Sequence, residues 1–334
     1  MRVGLLVDGE WKKDWYAPDE AGRFVRPKTR FREQVSASGQ GRFPVEPGRY
    51  HLYVSTACPW ASRTLIIRAV KGLEEAVGVT VVDPRMGEDG WSFEGYPGSD
   101  EDRLNGARYL RDVYLRADPH YTGRVTVPVL WDTRERTIVN NESREVLRML
   151  DTEFHALARS PVTLWPEGLR ERVDETITAL YEPVNNGVYR TGFAKSQDAY
   201  EKACRELFSA LEGWEQVLSR QRYLCGDVLT EADVCMYTTL VRFDLVYYAH
   251  FKCNLSRLQD FPNLWNYLLD LYQTPGFAET TDLEHIKVHY YWSQDAVNPT
   301  RIVPLGPRVD LRAPHDRDRW GPRRLAPLPV ARGA

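Results

Sequence analysis

A strand–helix–strand pattern between residues 50 and 82 limits what this chain can fold into more than any other feature. Residues 51–55 alternate in polarity, as a half-buried strand does. After a break at Cys58-Pro59, apolar side chains recur at helical spacing from Trp60 onward, and Gly78 is expected to close that helix. Residues 79–82 indicate a second strand. Such a unit predicts two parallel strands joined by a right-handed helical crossover.

The segment that follows predicts the rest of the same domain. Residues 84–123 form a long excursion with Gly, Asp and aromatic residues. Residues 125–131 indicate a strand that contains Pro128, residues 137–139 a short returning strand, and residues 142–150 a helix. Proline within a strand is normally confined to an edge or a bend. The order β-α-β, excursion, β-β-α is typical of a thioredoxin-like domain, here over residues 49–155.

From about residue 165 the periodicity is helical, which predicts an all-helical domain over residues 165–297. Thr230 and Asp233 have the spacing of a helix capping box, and Pro262 suits the first turn of a helix. Residues 1–48 lack a sustained period and are predicted to be an N-terminal extension. Residues 298–334, rich in Pro and Arg, are predicted to be a tail largely without regular structure. The predicted fold class is an α/β thioredoxin-like domain followed by an all-α helical bundle.

Length and charge narrow the classes of function. The 334 residues suggest about two domains. A total of 44 Lys and Arg against 47 Asp and Glu gives a net charge of −3, which argues against a nucleic-acid-binding face. No stretch approaches the ~20 apolar residues of a membrane span. The N-terminus lacks the apolar run of roughly 7–15 residues that a signal peptide needs. We therefore expect a cytoplasmic protein that binds neither nucleic acid nor membrane.

Cys58 is the strongest candidate for chemistry. It stands between a predicted strand and a predicted helix, and the dipole and free N–H groups of a helix N-terminus would lower its pKa and favour the thiolate. Ala61 occupies the place of a second cysteine, so the thiol could form a mixed disulfide but could not resolve it internally. The alternative at this position is a buried structural cysteine.

Other reactive or metal sites are not indicated. The 5 cysteines are odd in number and no two have a CxxC spacing, so neither a disulfide framework nor a zinc ribbon is expected, and the other four thiols are expected to be buried. His285 and His289 lack the acidic partner of a helical zinc motif, so no metal is expected. The chain has no G-x-S-x-G element of a serine hydrolase.

Two further places could bind a peptide-like thiol. In a thioredoxin-like domain, a cis Val127-Pro128 bond facing the nucleophile would leave the preceding backbone free to pair with a ligand. Glu142 and Ser143 lie at a predicted helix start, where N–H groups and the hydroxyl can hold a carboxylate. Glu142 could meet an ammonium, so the pair suits an α-amino-acid head group such as a γ-glutamyl end. A plain helix cap is the alternative.

Several segments together resemble the glutathionyl-hydroquinone reductases, the Xi class of glutathione transferases. The resemblance extends from about residue 10 to 312. It is more specific than a lone Cys-Pro-x-Ala motif, which omega-class transferases and related thioltransferases share. The segments are residues 56–61 (TACPWA), 90–93 (GWSF), 124–131 (RVTVPVLW), 141–143 (NES), 184–189 (VNNGVY), 240–244 (LVRFD) and 289–290 (HY).

The resemblance implies a homodimer that uses glutathione as co-substrate and acts on aromatic glutathionyl-hydroquinones. Cys58 would attack the glutathione sulfur of the aryl thioether, giving a Cys58–glutathione mixed disulfide and a free hydroquinone. A second glutathione would attack that disulfide and leave as glutathione disulfide, with ping-pong kinetics. The physiological quinone stays open, and a related γ-glutamyl thiol would fit as well as glutathione.

The resemblance also assigns roles to individual residues. Tyr189 would be the acid that protonates the ring carbon as the C–S bond breaks, while Tyr247 and Tyr290 would donate hydrogen bonds near the Cys58 sulfur. The residues implied in glutathione binding are Trp91, Arg124, Val125, Thr126, Val127 and Pro128, together with Glu142 and Ser143 at the γ-glutamyl end.

Two positions depart from the family pattern. Ser62 stands where a histidine is common, and Leu245 stands where a proline often precedes the helix tyrosine. Two other classes of function compete with the reductase. Cys58 alone would suit a general omega-like thioltransferase or dehydroascorbate reductase, whereas the three tyrosines favour the reductase. A non-catalytic transferase-like binding module is the third class, and the retained thiol argues against it.

Overall fold

The structure, a computed structural model, describes residues 4–13 and 18–328. Residues 1–3 and 14–17 of the predicted extension and residues 329–334 of the predicted tail lie outside the described residues. The strands are β1 (Leu5–Val7), β2 (Glu10–Lys12), β3 (Val35–Ser36), β4 (Phe43–Pro44), β5 (Tyr50–Val54), β6 (Val77–Val81), β7 (Gly123–Arg124), β8 (Val129–Asp132), β9 (Thr137–Asn140), β10 (Val162–Thr163) and β11 (Ala326–Pro327).

The helices follow the same chain order. They are α1 (Pro59–Lys71), α2 (Leu110–Ala117), α3 (Ser143–Thr152), α4 (Arg170–Leu180), α5 (Gly187–Gly192), α6 (Gln197–Leu218), α7 (Glu231–Arg242), α8 (Tyr248–His250), α9 (Pro262–Tyr272) and α10 (Leu283–Ser293). Single π-helical turns continue α4 at Tyr181–Asn185 and α7 at Phe243–Tyr247.

The first domain is built on a mixed sheet in the order β6-β5-β8-β9. β5 pairs in parallel with β6, and β8 pairs antiparallel with both β5 and β9. The side chains at the centre of β5 are fully buried, and α1 and α3 pack beside each other on the sheet. This arrangement confirms the predicted thioredoxin-like fold, and it brings the start of α1 and the approach to β8 together.

Two local predictions in this domain were wrong. α1 ends at Lys71, and Gly72 caps it in the left-handed conformation (φ 65°), with its N–H donating to the Ala69 carbonyl at 3.0 Å. Gly78, the predicted end, lies inside β6, because Gly72 already supplies the left-handed residue that ends the helix. Likewise β8 begins at Val129, after Pro128 and not around it, since proline has no N–H for the ladder.

The second domain is helical, as predicted. Thr230 caps α7 and Asp233 bonds back to its N–H, which confirms the capping box, and Pro262 is the first residue of α9. The four cysteines expected to be structural are buried, namely Cys204, Cys225, Cys235 and Cys253. Within the described part of the chain, no helix is both long and apolar enough to cross a membrane.

The N-terminal extension runs across both domains. β1 pairs with β2 and with β7, which joins the extension to the segment before β8. Farther along, the Asn141 N–H donates to the Phe31 carbonyl at 3.1 Å, so the extension also contacts the start of α3. On the helical side, the Lys195 N–H donates to the Gly22 carbonyl at 3.0 Å. The extension is therefore positioned between the two domains.

The C-terminal segment is attached through buried arginines. Arg317 is fully buried and donates to three carbonyls at and just after the end of α6, those of Leu218, Gln221 and Arg222. Arg222 in turn pairs with Asp270 of α9 at 2.8 Å, and both side chains are fully buried. β11 pairs with β10, so the end of the described chain returns to the junction of the two domains.

Candidate active site at the domain junction

A cavity of about 370 Å³ lies between the two domains and the extension. It contains most of the site residues predicted from the sequence, and Tyr247 and Tyr290 lie behind its wall, hydrogen bonded to the lining residue Tyr189 through Tyr290. The predicted residues that line it are Cys58, Trp91, Arg124, Val125, Thr126, Val127, Pro128, Glu142, Ser143 and Tyr189.

Cys58 occupies the N-cap position of α1, with Pro59 as the first helical residue. Its half-buried thiol faces the N–H groups of Trp60 and Ala61, which lower its pKa, and donates weakly to the Val127 carbonyl at 3.8 Å. Burial has the larger effect, so the pKa of Cys58 is raised from its ordinary value. The predicted net lowering was therefore wrong, because desolvation of the thiolate outweighs the helix N-terminus.

Arg242 holds the loop that carries Cys58. Its side chain comes from the end of α7, is 1% exposed, and reaches across the domain interface. It donates to the carbonyls of Thr56 at 2.8 Å and Ala57 at 2.9 Å, and to the Ser62 hydroxyl at 2.7 Å. Its charge also lowers the pKa of Cys58, against the effect of burial. The serine that departs from the family pattern is thus an acceptor for this guanidinium.

The three tyrosines form one hydroxyl cluster. The Tyr290 hydroxyl lies 2.6 Å from that of Tyr189 and 2.9 Å from that of Tyr247. Burial raises the pKa of Tyr189 to about 12, and it raises the pKa values of the other two well above the ordinary tyrosine value. The hydroxyls of Tyr189 and Tyr247 also interact with each other, so each member of the cluster has hydrogen-bond partners inside it. Because a hydroxyl can both donate and accept, Tyr189, which lines the cavity, can turn its O–H toward a ligand when one is bound.

The other end of the cavity suits a peptide-like ligand. Glu142 is the N-cap of α3 and accepts from the Arg144 N–H at 3.5 Å and from the Thr29 hydroxyl at 3.1 Å. Ser143 follows it at the first position of the helix and is 4% exposed. The carboxylate, the hydroxyl and the helix start together can hold both charges of an amino-acid head group.

The backbone before β8 offers an open edge. The Val127–Pro128 bond is cis, as predicted. The N–H and carbonyl of Thr126 are both bonded to the Tyr114 hydroxyl, at 3.2 Å and 2.7 Å. Across the described parts of the chain, by contrast, the N–H of Val127 has no partner, and its carbonyl accepts only the weak thiol contact. Val127 is therefore the residue that can pair with a ligand backbone.

Trp91, His285 and His289 each have defined neighbours in the structure. Trp91 is buried and stacks on His289 with ring centroids 4.7 Å apart. His289 bonds the Pro84 carbonyl at 2.9 Å, and burial lowers its pKa to about 4. His285 contacts the Thr56 hydroxyl and the Pro97 carbonyl. Among residues 4–13 and 18–328, no group of three or more metal-ligating side chains occurs.

Sequence reasoning missed one wall of the cavity. Residues 24–32 of the extension, here called the wall segment, contribute Phe24, Arg26, Pro27, Lys28, Thr29 and Arg32 to the lining. Phe24 stacks near Tyr189, with ring centroids 6.5 Å apart. The one available signal was the alternation of basic residues with Phe24 and Phe31, which periodicity does not detect. Other lining residues missed were Trp60, Met86, Tyr121, Asn141, Tyr181, Phe193, His289 and Gln294.

Comparisons with known proteins agree with this geometry. The family models for the glutathione S-transferase N-terminal and C-terminal domains match residues 57–153 and 197–269. The glutathionyl-hydroquinone reductase YqjG of Escherichia coli (strain K12) is 49% identical over 324 residues, which cover 95% of this chain and 99% of the reductase.

Solved structures give the same result. The Xi class GST from Natrialba magadii superposes with a TM-score of 0.90 at 55% identity, covering 95% of this chain and 97% of that one. The glutathione-bound structure of YqjG from Escherichia coli K-12 superposes with a TM-score of 0.86 at 48% identity, covering 94% of this chain and 99% of that one.

Proposed function

This chain belongs to the glutathionyl-hydroquinone reductases, the Xi class of the glutathione transferases, and from that premise we propose that it removes glutathione reductively from glutathionyl-hydroquinones through Cys58. The observation that carries the proposal is the single thiol at the start of α1, which faces both an amino-acid-binding end and a tyrosine cluster across one cavity.

In the bound complex, Glu142 and Ser143 hold the γ-glutamyl end of glutathione and Val127 pairs with its backbone. Trp91 and Arg124 also line the cavity. The thioether sulfur then lies toward Cys58, and the aryl ring lies toward Tyr189, Phe24 and Trp60 on the apolar half. This division supports a conjugate of glutathione with an aromatic ring as the ligand.

The first half-reaction moves the thiolate charge of Cys58 to the hydroquinone. Tyr189, neutral because burial raises its pKa to about 12, delivers a proton to the ring carbon that bears sulfur and takes up the proton that the conjugated ring hydroxyl releases, so the ring passes into its keto form. In the resulting keto form, Cys58 attacks the glutathione sulfur and the C–S bond breaks. Its electron pair re-forms the aromatic ring and leaves the charge on the hydroquinone oxygen, which then takes up a proton. Cys58 and glutathione are joined as a mixed disulfide.

The second half-reaction regenerates the thiol. A second glutathione thiolate attacks the glutathione sulfur of the mixed disulfide, and Cys58 leaves as the thiolate. The N–H groups of Trp60 and Ala61, together with Arg242, stabilise that leaving thiolate, since each lowers the pKa of Cys58. The products over both steps are one hydroquinone and one glutathione disulfide.

The test incubates the protein with a glutathionyl-hydroquinone and excess glutathione while hydroquinone and glutathione disulfide are followed together. We expect both in equal amounts, and we expect Cys58→Ser to abolish both. Cys225→Ser is the matched control, because its sulfur already lies 3.6 Å from the Thr176 hydroxyl and the serine keeps a partner. A Cys58–glutathione adduct without hydroquinone would indicate a thioltransferase instead. If neither the products nor the adduct form, the protein is a binding module or uses a different thiol.

We propose further that the protein is a cytoplasmic homodimer. The family resemblance supports the dimer, and exposed apolar side chains at Ile302 and Leu305 supply surface for an interface. The five cysteines are free thiols, which supports a reducing compartment. Analytical ultracentrifugation tests the dimer, and sedimentation as a monomer at micromolar concentration would contradict it. Cell fractionation tests the compartment.

A further inference from the structure

Arg26 of the wall segment brings a positive charge to the aromatic half of the cavity. Its guanidinium carbon lies 4.7 Å from the Trp60 ring centroid and 4.9 Å from that of Tyr189. A third ring, Phe24, lies 5.5 Å away. These contacts hold a planar guanidinium between ring faces while its N–H groups stay at the edge.

Few polar groups of the protein bond to the Arg26 guanidinium. The Nε of Arg26 donates to the Asn186 side-chain oxygen at 3.1 Å. Its two terminal NH2 groups have no hydrogen-bond partner, and no carboxylate lies within ion-pair distance, in the described portion of the chain. The other cations of the wall segment are placed differently, since Lys28 and Arg30 are exposed and Arg32 pairs with Glu145. A partly buried cation surrounded by aromatic rings is poorly screened and attracts an anion strongly.

The reaction proposed above creates an anion in that half of the cavity. When the C–S bond breaks, the negative charge leaves the Cys58 sulfur and collects on the hydroquinone oxygen. The Tyr189 ring, which delivers the proton to the hydroquinone carbon, is one of the rings that contact Arg26. Donors placed where charge develops in a transition state contribute more to the rate than donors that bind the ground state equally.

We infer that Arg26 is a further catalytic residue, whose guanidinium edge binds the hydroquinone oxygen as that oxygen takes up the negative charge. The inference rests on the proposed function and adds to it a residue outside both domains. It also limits the substrates, because the oxygen must reach Arg26 while the thioether sulfur faces Cys58. Aromatic conjugates without an oxygen conjugated to the C–S carbon should not be cleaved.

The test separates the two half-reactions. Arg26→Met removes the charge and keeps most of the volume, and Arg26→Lys keeps a charge without the planar fork. Arg23→Met is the matched control, since Arg23 is exposed, pairs with Asp19 and does not line the cavity. Excess protein is mixed with each glutathionyl-hydroquinone of a series with methyl or chloro ring substituents, and hydroquinone release is followed in a single turnover. Each variant is assayed on the pH plateau of its Cys58 thiolate, found from its alkylation profile.

We expect Arg26→Met to slow hydroquinone release on the order of 100-fold. The loss should be larger for methylated rings, whose phenolates are more basic, than for chlorinated rings. Arg26→Lys should recover part of the rate, and Arg23→Met should match the wild type. Reduction of a preformed Cys58–glutathione disulfide by glutathione should lose far less than hydroquinone release, because no hydroquinone oxygen takes part and Arg26 lowers the pKa of the leaving Cys58 by less than the Trp60 and Ala61 N–H groups and Arg242 do.

Other outcomes would overturn the inference. Equal slowing of both half-reactions would show that Arg26 has only a structural role. A loss of rate that does not depend on the ring substituents would show that Arg26 does not bind the hydroquinone oxygen. Should Arg26→Met fail to fold, Arg26→Lys still decides the matter through the substituent dependence. A wild-type protein that leaves the thioether intact would overturn the proposed function, whereas an active wild type with an unaffected Arg26→Met would overturn only this role.

Discussion

Arg242→Met should weaken the fold and the reactivity of Cys58 together. The guanidinium donates to the carbonyls of Thr56, Ala57 and Thr238 and to the Ser62 hydroxyl, at distances of 2.8, 2.9, 2.6 and 2.7 Å. Methionine removes all four hydrogen bonds, although the Thr56 carbonyl keeps the Ser62 hydroxyl as a donor at 3.3 Å. At about 1 kcal/mol for each hydrogen bond lost, the free energy of unfolding should fall by about 4 kcal/mol. For a chain of 334 residues, the melting temperature should then fall by about 6 °C.

The effect on the thiol has a definite sign. Arg242 lowers the pKa of Cys58, so its removal raises that pKa further and reduces the thiolate fraction at neutral pH. The rate of Cys58 alkylation by iodoacetamide, measured from pH 6 to 10, should shift toward higher pH. Hydroquinone release at neutral pH should slow by the same fraction, and it should recover as the pH is raised.

Arg317→Met supplies the control for stability alone. Arg317 is equally buried and also donates to main-chain carbonyls, but beside α6. Arg317→Met should lower the free energy of unfolding by a similar amount and leave the alkylation profile of Cys58 unchanged. If Arg242→Met loses stability like Arg317→Met but keeps the wild-type alkylation profile, then Arg242 does not act on the thiolate, and the reasoning fails.

Three further outcomes follow from buried polar groups. Tyr290→Phe removes the hydroxyl that links Tyr189 to Tyr247, so single-turnover hydroquinone release should slow by roughly 100-fold; equal slowing of disulfide reduction would contradict its assignment. Ser143→Ala should raise the KM for glutathione by about fivefold through loss of about 1 kcal/mol of binding, with kcat unchanged; an unaltered KM in steady-state assays would remove Ser143 from the site. Burial lowers the pKa of His250 from 6.5 to about 4, so the unfolded chain binds a proton in that window that the folded chain does not, and stability falls as the pH drops. His250→Gln should therefore flatten the dependence of unfolding free energy on pH by about 1.4 kcal/mol per pH unit. The free energies are measured by urea denaturation at several pH values, and the same pH dependence in wild type and variant would refute this.

The features that short sequence windows encode were the predictable ones. Cys58-Pro59 marks the junction of strand and helix because proline needs no partner for its missing N–H at the first helical position. Thr230 and Asp233 mark the start of α7 because each supplies an oxygen for the other's backbone N–H. The start of α3 at Ser143 was equally visible. In each case the interaction spans only a few residues.

The unpredicted features depend on long-range contacts. Arg26 and Phe24 reach the cavity because the extension is bonded to Asn141, which lies more than a hundred positions away. Arg242 contacts the Cys58 loop from a helix in the other domain, with 185 positions between it and Ala57. The raised pKa of Cys58 has the same origin, because its burial is produced by the assembled domains and not by the local helix start.

The wall segment has a consequence for how the site can diversify. It lies outside residues 57–153 and 197–269, which the two transferase domain models match, yet it supplies a face of the cavity. Substitutions in residues 24–32 can change which aromatic rings are accepted while the cores of both domains stay intact. Proteins descended from one two-domain ancestor can thus acquire different substrates through substitutions in the wall segment. A search for new specificities in the laboratory would begin with the same nine positions.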